Sequence, residues 1–233
     1  MSKVKTIVAI GGGEIGREKV LASGRVRKYP MNILKIDREI VALGGKEHPK
    51  LLFLGTASGD AVYYGACIKR YFGELGCRVS ILNLARGRST GETVQKKILG
   101  ADIIYVGGGD TKVMIDIWKK KKVDRLLRQA YDQGTVLSGL SAGAVCWFEW
   151  YDNSDYIQTA AELDLLPGLG ILPGFAVPHY DILPPAMKKQ ISVVLKRHKL
   201  MGWAIDECAA AVFENGIGRE VSARKGKKVV QIP

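Results

Sequence analysis

The sequence predicts an α/β fold, a mostly parallel β-sheet sandwiched by helices, with antiparallel additions toward the C-terminus. Three observations lead there. Short apolar runs of about five residues alternate with longer amphipathic segments through the first two thirds of the chain. Those runs are apolar at nearly every position rather than at every second one, so both faces of each strand are buried, as in a parallel sheet covered by helices. Several runs end in small, glycine-rich turns, where open sheets of this kind bind their ligands.

The first predicted strand is residues 6–10, ending in Gly11-Gly12-Gly13. Residues 50–54 form the second, ending at Gly55-Thr56-Ala57-Ser58. A helix is expected over 61–75, with Gly76 as its stop. Residues 78–82 and 102–106 are the third and fourth strands, the latter running into Gly107-Gly108-Gly109-Asp110-Thr111. A helical segment over 112–133 is expected to break near Lys119-Lys120-Lys121-Lys122. Residues 134–138 are short and partly β-branched and suit a buried strand, and residues 144–148 can begin a helix. Beyond them, 175–178 is extended, 187–198 is helical, and 203–205, 209–213, 217–221 and 228–232 are later strands. With no linker, repeat or low-complexity stretch, one domain is expected over residues 1–233.

Composition narrows the function classes. The chain has 233 residues, 47% of them hydrophobic, enough for a sizeable core, and no apolar run approaches the roughly 20 residues of a membrane span. Residues 1–5 run straight into the first predicted strand with no apolar region and cleavage site before it, so no secretory signal is expected. The four cysteines, Cys67, Cys77, Cys146 and Cys208, form no C-x-x-C pair, so a reduced, cytoplasmic setting is expected. The net charge of +12 raises the question of a nucleic-acid partner. The lysine run, however, ends a helix, where cations suit the helix dipole. Arg224, Lys225, Lys227 and Lys228 surround Gly226 as in a hairpin turn, and no basic stripe with interleaved aromatics is present. An acidic substrate drawn in by the general field accounts for the charge as well.

The chemistry centres on Gly139-Leu140-Ser141-Ala142-Gly143, a G-x-S-x-G pentapeptide where strand gives way to helix. That context is the nucleophile elbow: the serine sits in a strained turn, flanking glycines leave room for the bend, and the following helix presents free N–H groups to an oxyanion. A serine needs a base. His48 precedes Pro49 in a charged loop and His198 lies in a basic helix end, which leaves His179, at the end of the extended segment Phe175-Ala176-Val177-Pro178. For the acid that orients the imidazole, spacing does not choose among Asp152, Asp155 and Glu162 in the segment after the elbow, and Asp181, Asp206 and Glu207 remain open beyond the histidine. Glu149 is read within the elbow helix and Asp164 in a turn. Ala142 supplies one oxyanion N–H by geometry, and the turn Gly107-Gly108-Gly109 is the candidate for the second. Gly11, Gly13 and Gly16 match G-x-G-x-x-G, but the stretch where a ribose-binding acid belongs reads Arg25-Val26-Arg27-Lys28, and no phosphate-binding lysine motif exists. Metal motifs are absent too, so no cofactor is expected.

An ordered set of motifs spans most of the chain: Val106-Gly107-Gly108-Gly109-Asp110-Thr111, Gly139 to Ala144, Asn153-Ser154-Asp155, Leu172-Pro173-Gly174, Pro178-His179-Tyr180 and Ile205-Asp206-Glu207. With this set the chain resembles the peptidase E family, the α-aspartyl dipeptidases related to cyanophycinases, whose flavodoxin-like fold is similar to that of class I glutamine amidotransferases. The resemblance implies a serine peptidase with Ser141 as nucleophile, His179 as base, Asp155 as the acid with Glu162 as the alternative, and Gly109 and Ala142 lining the oxyanion hole. Gly108, Asp110 and Tyr180 are the candidates for substrate contact. Asp110 stands where the dipeptidase members typically carry Asn, and an acid there disfavours an aspartyl carboxylate and favours a free ammonium. The expected partner is a small peptide, with no membrane and no nucleic acid, and a homodimer is left open. A non-peptidase hydrolase or acyltransferase with the same triad, and a catalytically silent binding protein, are the alternatives.

Overall fold

The computed structural model describes residues 3–16, 18–20, 23–87, 89–152 and 163–233. In chain order the elements begin with β1 (Thr6–Ile10), β2 (Glu18–Val20), β3 (Val26–Lys28), α1 (Leu34–Leu43), β4 (Lys50–Leu54), α2 (Val62–Glu74) and β5 (Arg78–Leu82). They continue with α3 (Gly91–Leu99), β6 (Ile103–Val106), α4 (Thr111–Lys120), α5 (Val123–Asp132), β7 (Val136–Leu140) and α6 (Ala142–Val145). The last third holds β8 (Phe148–Asp152), β9 (Leu165–Pro167), β10 (Leu172–Val177), α7 (Pro185–His198), β11 (Gly202–Ile205), β12 (Ala209–Glu214), β13 (Ile217–Ser222) and β14 (Val229–Ile232).

The main sheet has the order β13-β12-β1-β7-β6-β4-β5. From β1 to β5 every neighbouring pair is parallel, while β12 and β13 are added antiparallel. Its inner strands β1, β4, β6, β7 and β12 bury both faces, as their apolar runs require, while the edge strands β5 and β13 are partly exposed. On one face Ile7, Ala9, Leu52, Leu54, Ile104 and Val106 pack with residues of α3, α4 and α5, including Trp118 and Leu127. On the other, Val8, Ile10, Leu51, Phe53, Ile103 and Tyr105 pack with α1 and α2, through Ile36, Ile40, Ile68 and Phe72. The alternation of successive strand residues between the two clusters is the period of two expected of a pleated strand. The expected break in the 112–133 helix falls at Lys122, whose backbone is left-handed with φ 58°.

Two expectations are corrected. The elbow helix is four residues long, and residues 148–152, read as its continuation or as polar loop, are strand β8. The aromatic run Trp147-Phe148-Glu149-Trp150-Tyr151 favours a pleated, half-buried surface over a helix. Glu149 and Asp152 are therefore strand residues: Glu149 Oε2 accepts the Gly174 N–H at 2.9 Å, and Asp152 Oδ1 accepts that of Asp164 at 2.8 Å. The later strands, moreover, do not simply extend the main sheet. A second sheet runs β14-β11-β10-β8-β9, with β10 parallel to both β8 and β11 and the outer strands antiparallel. The chain crosses from this sheet to the main one in the turn between β11 and β12. Among the described residues no helix is long and apolar enough to cross a membrane.

One buried acid sets a pH dependence. Asp37 of α1 is fully buried; Tyr71 of α2 donates its O–H to Asp37 Oδ2 at 2.8 Å, and Oδ1 has no hydrogen-bond partner. Burial raises this carboxyl from 3.8 to about 7, against the smaller opposing effect of the Tyr71 hydrogen bond. The folded state therefore holds a proton that the unfolded chain has released, so stability falls as pH rises from about 4 to about 7. The displacement corresponds to on the order of 4 kcal/mol above that window. Asp37→Asn is expected to raise the melting temperature at pH 8 and to flatten its dependence between pH 5 and 8; an unchanged pH profile would count against the assignment.

Candidate active site

The site forms at the carboxyl ends of strands from both sheets. Ser141 follows β7 with φ 56° and ψ −113°, a backbone conformation that L-residues avoid. The two glycines of the pentapeptide make this turn sterically possible. A Cβ on Gly139 would lie 2.3 Å from the Gly143 carbonyl oxygen, and one on Gly143 would lie 2.2 Å from that of Val106. The bend thus packs backbone against backbone and lifts the serine side chain to the surface of the cleft.

His179 follows β10 and places its Nε2 2.9 Å from Ser141 Oγ. Its other ring nitrogen, Nδ1, lies 3.0 Å from Glu207 Oε1. Serine, imidazole and carboxylate thus form one continuous chain of hydrogen bonds. Glu207 stands in the crossover between β11 and β12, among the acids that spacing left open. Asp155 and Glu162, the residues indicated by family resemblance, lie outside the described residues. Asp152, the third candidate of that segment, is buried in β8.

The glycines after β1 hold the arrangement together. Ser141 N–H donates to the Ile10 carbonyl at 3.0 Å, His179 N–H to that of Gly11 at 3.0 Å, and Cys208 N–H to that of Gly12 at 2.9 Å. Three successive carbonyls therefore tether the serine, the histidine and the neighbour of Glu207. A Cβ on Gly12 would sit 2.5 Å from His179 Nδ1 and 3.1 Å from Glu207 Oε1. Glycine is needed there so that the imidazole–carboxylate pair can lie against the backbone. The sequence pattern could show this loop as special but not why, because the partners arrive from distant segments.

Asp181 braces the acid from behind. Its Oδ1 accepts the Glu207 N–H at 2.8 Å, and its Oδ2 is paired with the Lys227 ammonium. Burial opposes charge on Asp181, but these two partners outweigh it and hold the carboxyl below the usual carboxylate range.

The turn after β6 faces the serine. Gly107 N–H donates to the Leu54 carbonyl at 3.0 Å and Asp110 N–H to that of Ala57 at 2.9 Å, which pins both ends of the turn. Gly108 lines the cleft, and a Cβ on it would lie 3.4 Å from Ser141 Cβ; Gly109, at φ 142°, backs onto the Ala57 carbonyl. Ala142 begins α6 directly after the serine. Two candidates for substrate contact are engaged elsewhere. Asp110 caps α4, accepting the Val113 N–H at 2.8 Å. Tyr180 packs against the cluster of Phe175, Val177, Leu183 and Ile191, with the Lys188 ammonium 4.8 Å from its ring centroid.

The cleft encloses about 520 Å³, and Glu14, Ile15, Ala61, Tyr63, Tyr64 and Tyr105 are among its walls besides Ser141, His179 and Glu207. At its mouth the Tyr63 hydroxyl donates to the Glu18 carbonyl of β2. Among the described residues no group of three His, Cys, Asp or Glu is placed to hold a metal ion.

The chain is similar to known peptidases in sequence and fold. The profile of peptidase family S51 matches residues 20–221. The uncharacterized peptidase YgaJ of Bacillus subtilis (strain 168) is 34% identical over 230 residues, covering 98% of this chain and 92% of its own. A crystal structure of a candidate peptidase E protein from Listeria monocytogenes EGD-e shares the fold with a TM-score of 0.66 at 21% identity, over 94% of this chain and 98% of that one. A peptidase from an acI-B1 Actinobacterium does so with a TM-score of 0.67 at 17% identity, over 97% and 96%. The family match over most of the chain, with a relative of this identity along nearly its whole length, establishes that this chain belongs to peptidase family S51 and is a serine peptidase.

Proposed function

We propose that the protein hydrolyses short peptides through an acyl-enzyme formed on Ser141, with His179 as general base and Glu207 as the acid that orients it. The observation that carries this reading is the unbroken relay from Ser141 Oγ through both ring nitrogens of His179 to Glu207, set on a strained elbow. Ser141 Oγ attacks the scissile carbonyl and its proton passes to Nε2. The imidazolium donates Nδ1–H to Glu207 and then gives the Nε2 proton to the departing amine. Water enters, loses a proton to the same nitrogen, and releases the acid product while Ser141 regains its hydrogen. In this reading the N–H of Ala142 and an N–H of the 108–109 turn receive the oxyanion as it forms. A cleft of about 520 Å³ suits a di- or tripeptide rather than a folded protein segment.

A fluorophosphonate probe tests this. The expected result is a single adduct on Ser141, found by peptide mass spectrometry in the wild type and strongly reduced in His179→Ala. Absence of an adduct on folded wild-type protein, together with no hydrolysis of any short peptide, would overturn the reading.

A further inference from the structure

Much of the lining of the cleft is aliphatic or aromatic. Ile15, Ala61, Tyr64, Ile68, Tyr105 and Leu140 line it. The aromatic rings are fixed from behind. Phe53 meets Tyr64 edge-on, with centroids 5.2 Å apart and planes at 73°, and Phe72 lies 5.0 Å from Tyr105. Tyr105 and Ile68 are almost completely buried, so they form the floor of the pocket. Gly107 brings the backbone against the Tyr64 ring, where a Cβ would lie 2.7 Å from Cε1. A surface packed this firmly cannot move aside to solvate a charged guest, and it is already shaped for an uncharged one.

The charges that do line the cleft have the wrong sign for an acidic side chain. Among the described lining residues the carboxylates are Glu14 and Glu207, and none is lysine or arginine. An aspartyl carboxylate entering this pocket would lose its water without gaining a cationic partner among the described lining residues, which is unfavourable.

We infer that this pocket receives a large uncharged side chain, aromatic or branched aliphatic, from the residue next to the scissile bond, so that the preferred substrates are apolar dipeptides and tripeptides rather than aspartyl ones. The inference rests on the peptidase reading above for the identity of the ligand as a peptide. Burial of such a side chain against Tyr64, Tyr105 and Ile68 sets the preference, at about tenfold or more over a charged residue of similar length.

The test separates binding from chemistry. The dissociation constants of Phe-, Leu-, Asp- and Arg-containing dipeptides, with each residue in either position, are measured by calorimetry on Ser141→Ala, which cannot turn them over. The Phe and Leu peptides are expected to bind about tenfold or more tightly than the Asp and Arg peptides. Ala61→Arg, which puts a cation into the pocket, is expected to reverse the order between Phe and Asp. Tightest binding of the Asp or Arg peptides, equal affinities, or no binding at all would overturn the inference. If the apolar order holds while the wild type cleaves none of these peptides, the pocket assignment stands and the hydrolytic reading fails. If the wild type cleaves Asp peptides fastest and Ser141→Ala binds them best, the hydrolytic reading stands and the pocket assignment fails.

Discussion

Ser141→Ala is expected to lower kcat for peptide hydrolysis by roughly 10⁴- to 10⁶-fold, with little change in KM or in thermal stability. The reason lies in the elbow. Alanine has nearly the same shape, and the strain at φ 56° is imposed by the packing of Gly139 and Gly143 rather than by the hydroxyl, so the turn should persist. What disappears is the one oxygen placed 2.9 Å from His179 Nε2. Residual turnover would then come from water positioned by the oxyanion donors. Steady-state kinetics with circular dichroism as the control for folding checks this. Activity within tenfold of wild type would mean that the serine is not the nucleophile.

Glu207→Gln is expected to cost about 10³- to 10⁴-fold in kcat, by analogy with triads whose acid is replaced by its amide. A glutamine at this position can turn its NH₂ toward Nδ1. The imidazole would then carry its proton on Nε2, which can no longer take one from Ser141 Oγ. Asp155→Asn, by contrast, is expected to stay within a few-fold of wild type, since Nδ1 already has its carboxylate at 3.0 Å. Kinetics of both variants decide between the residue indicated by family resemblance and the one that geometry brings to the ring. A deep loss in Asp155→Asn with a mild one in Glu207→Gln would reverse the assignment.

The difference between these two acids shows what a sequence can carry here. The elbow is a nearly local object: a Cβ on Gly139 has no room against the Gly143 carbonyl, and one on Gly143 has none against that of Val106 on the neighbouring strand. The parallel core was legible for the same reason, since strands apolar at every position can only be covered on both sides. His179 stood out by elimination among three histidines. The acid was not legible, because its position depends on how two sheets meet. Glu207 lies in the crossover from β11 to β12, and only the placement of the second sheet brings that turn to the imidazole. The strand character of residues 148–152 was hidden in a similar way. The aromatic run there can serve a helix face or a pleat, and its pairing with β10 decides for the pleat. The glycines after β1 resembled a nucleotide loop in composition. Their spacing carried no trace of an imidazole lying against Gly12.

The tethers from Ile10, Gly11 and Gly12 have a consequence for how the enzyme comes into and out of being. Ser141, His179 and Glu207 reach the site on three separate stretches of chain, and Ser141, His179 and the neighbour of Glu207 each donate to a carbonyl at the end of β1 or just beyond it, inside the main sheet. No one of them can be set in place before that strand has docked between its neighbours, and none can drift off while it stays docked. In the proposed relay, competence is therefore expected to depend on the docking of that strand as much as on the three side chains.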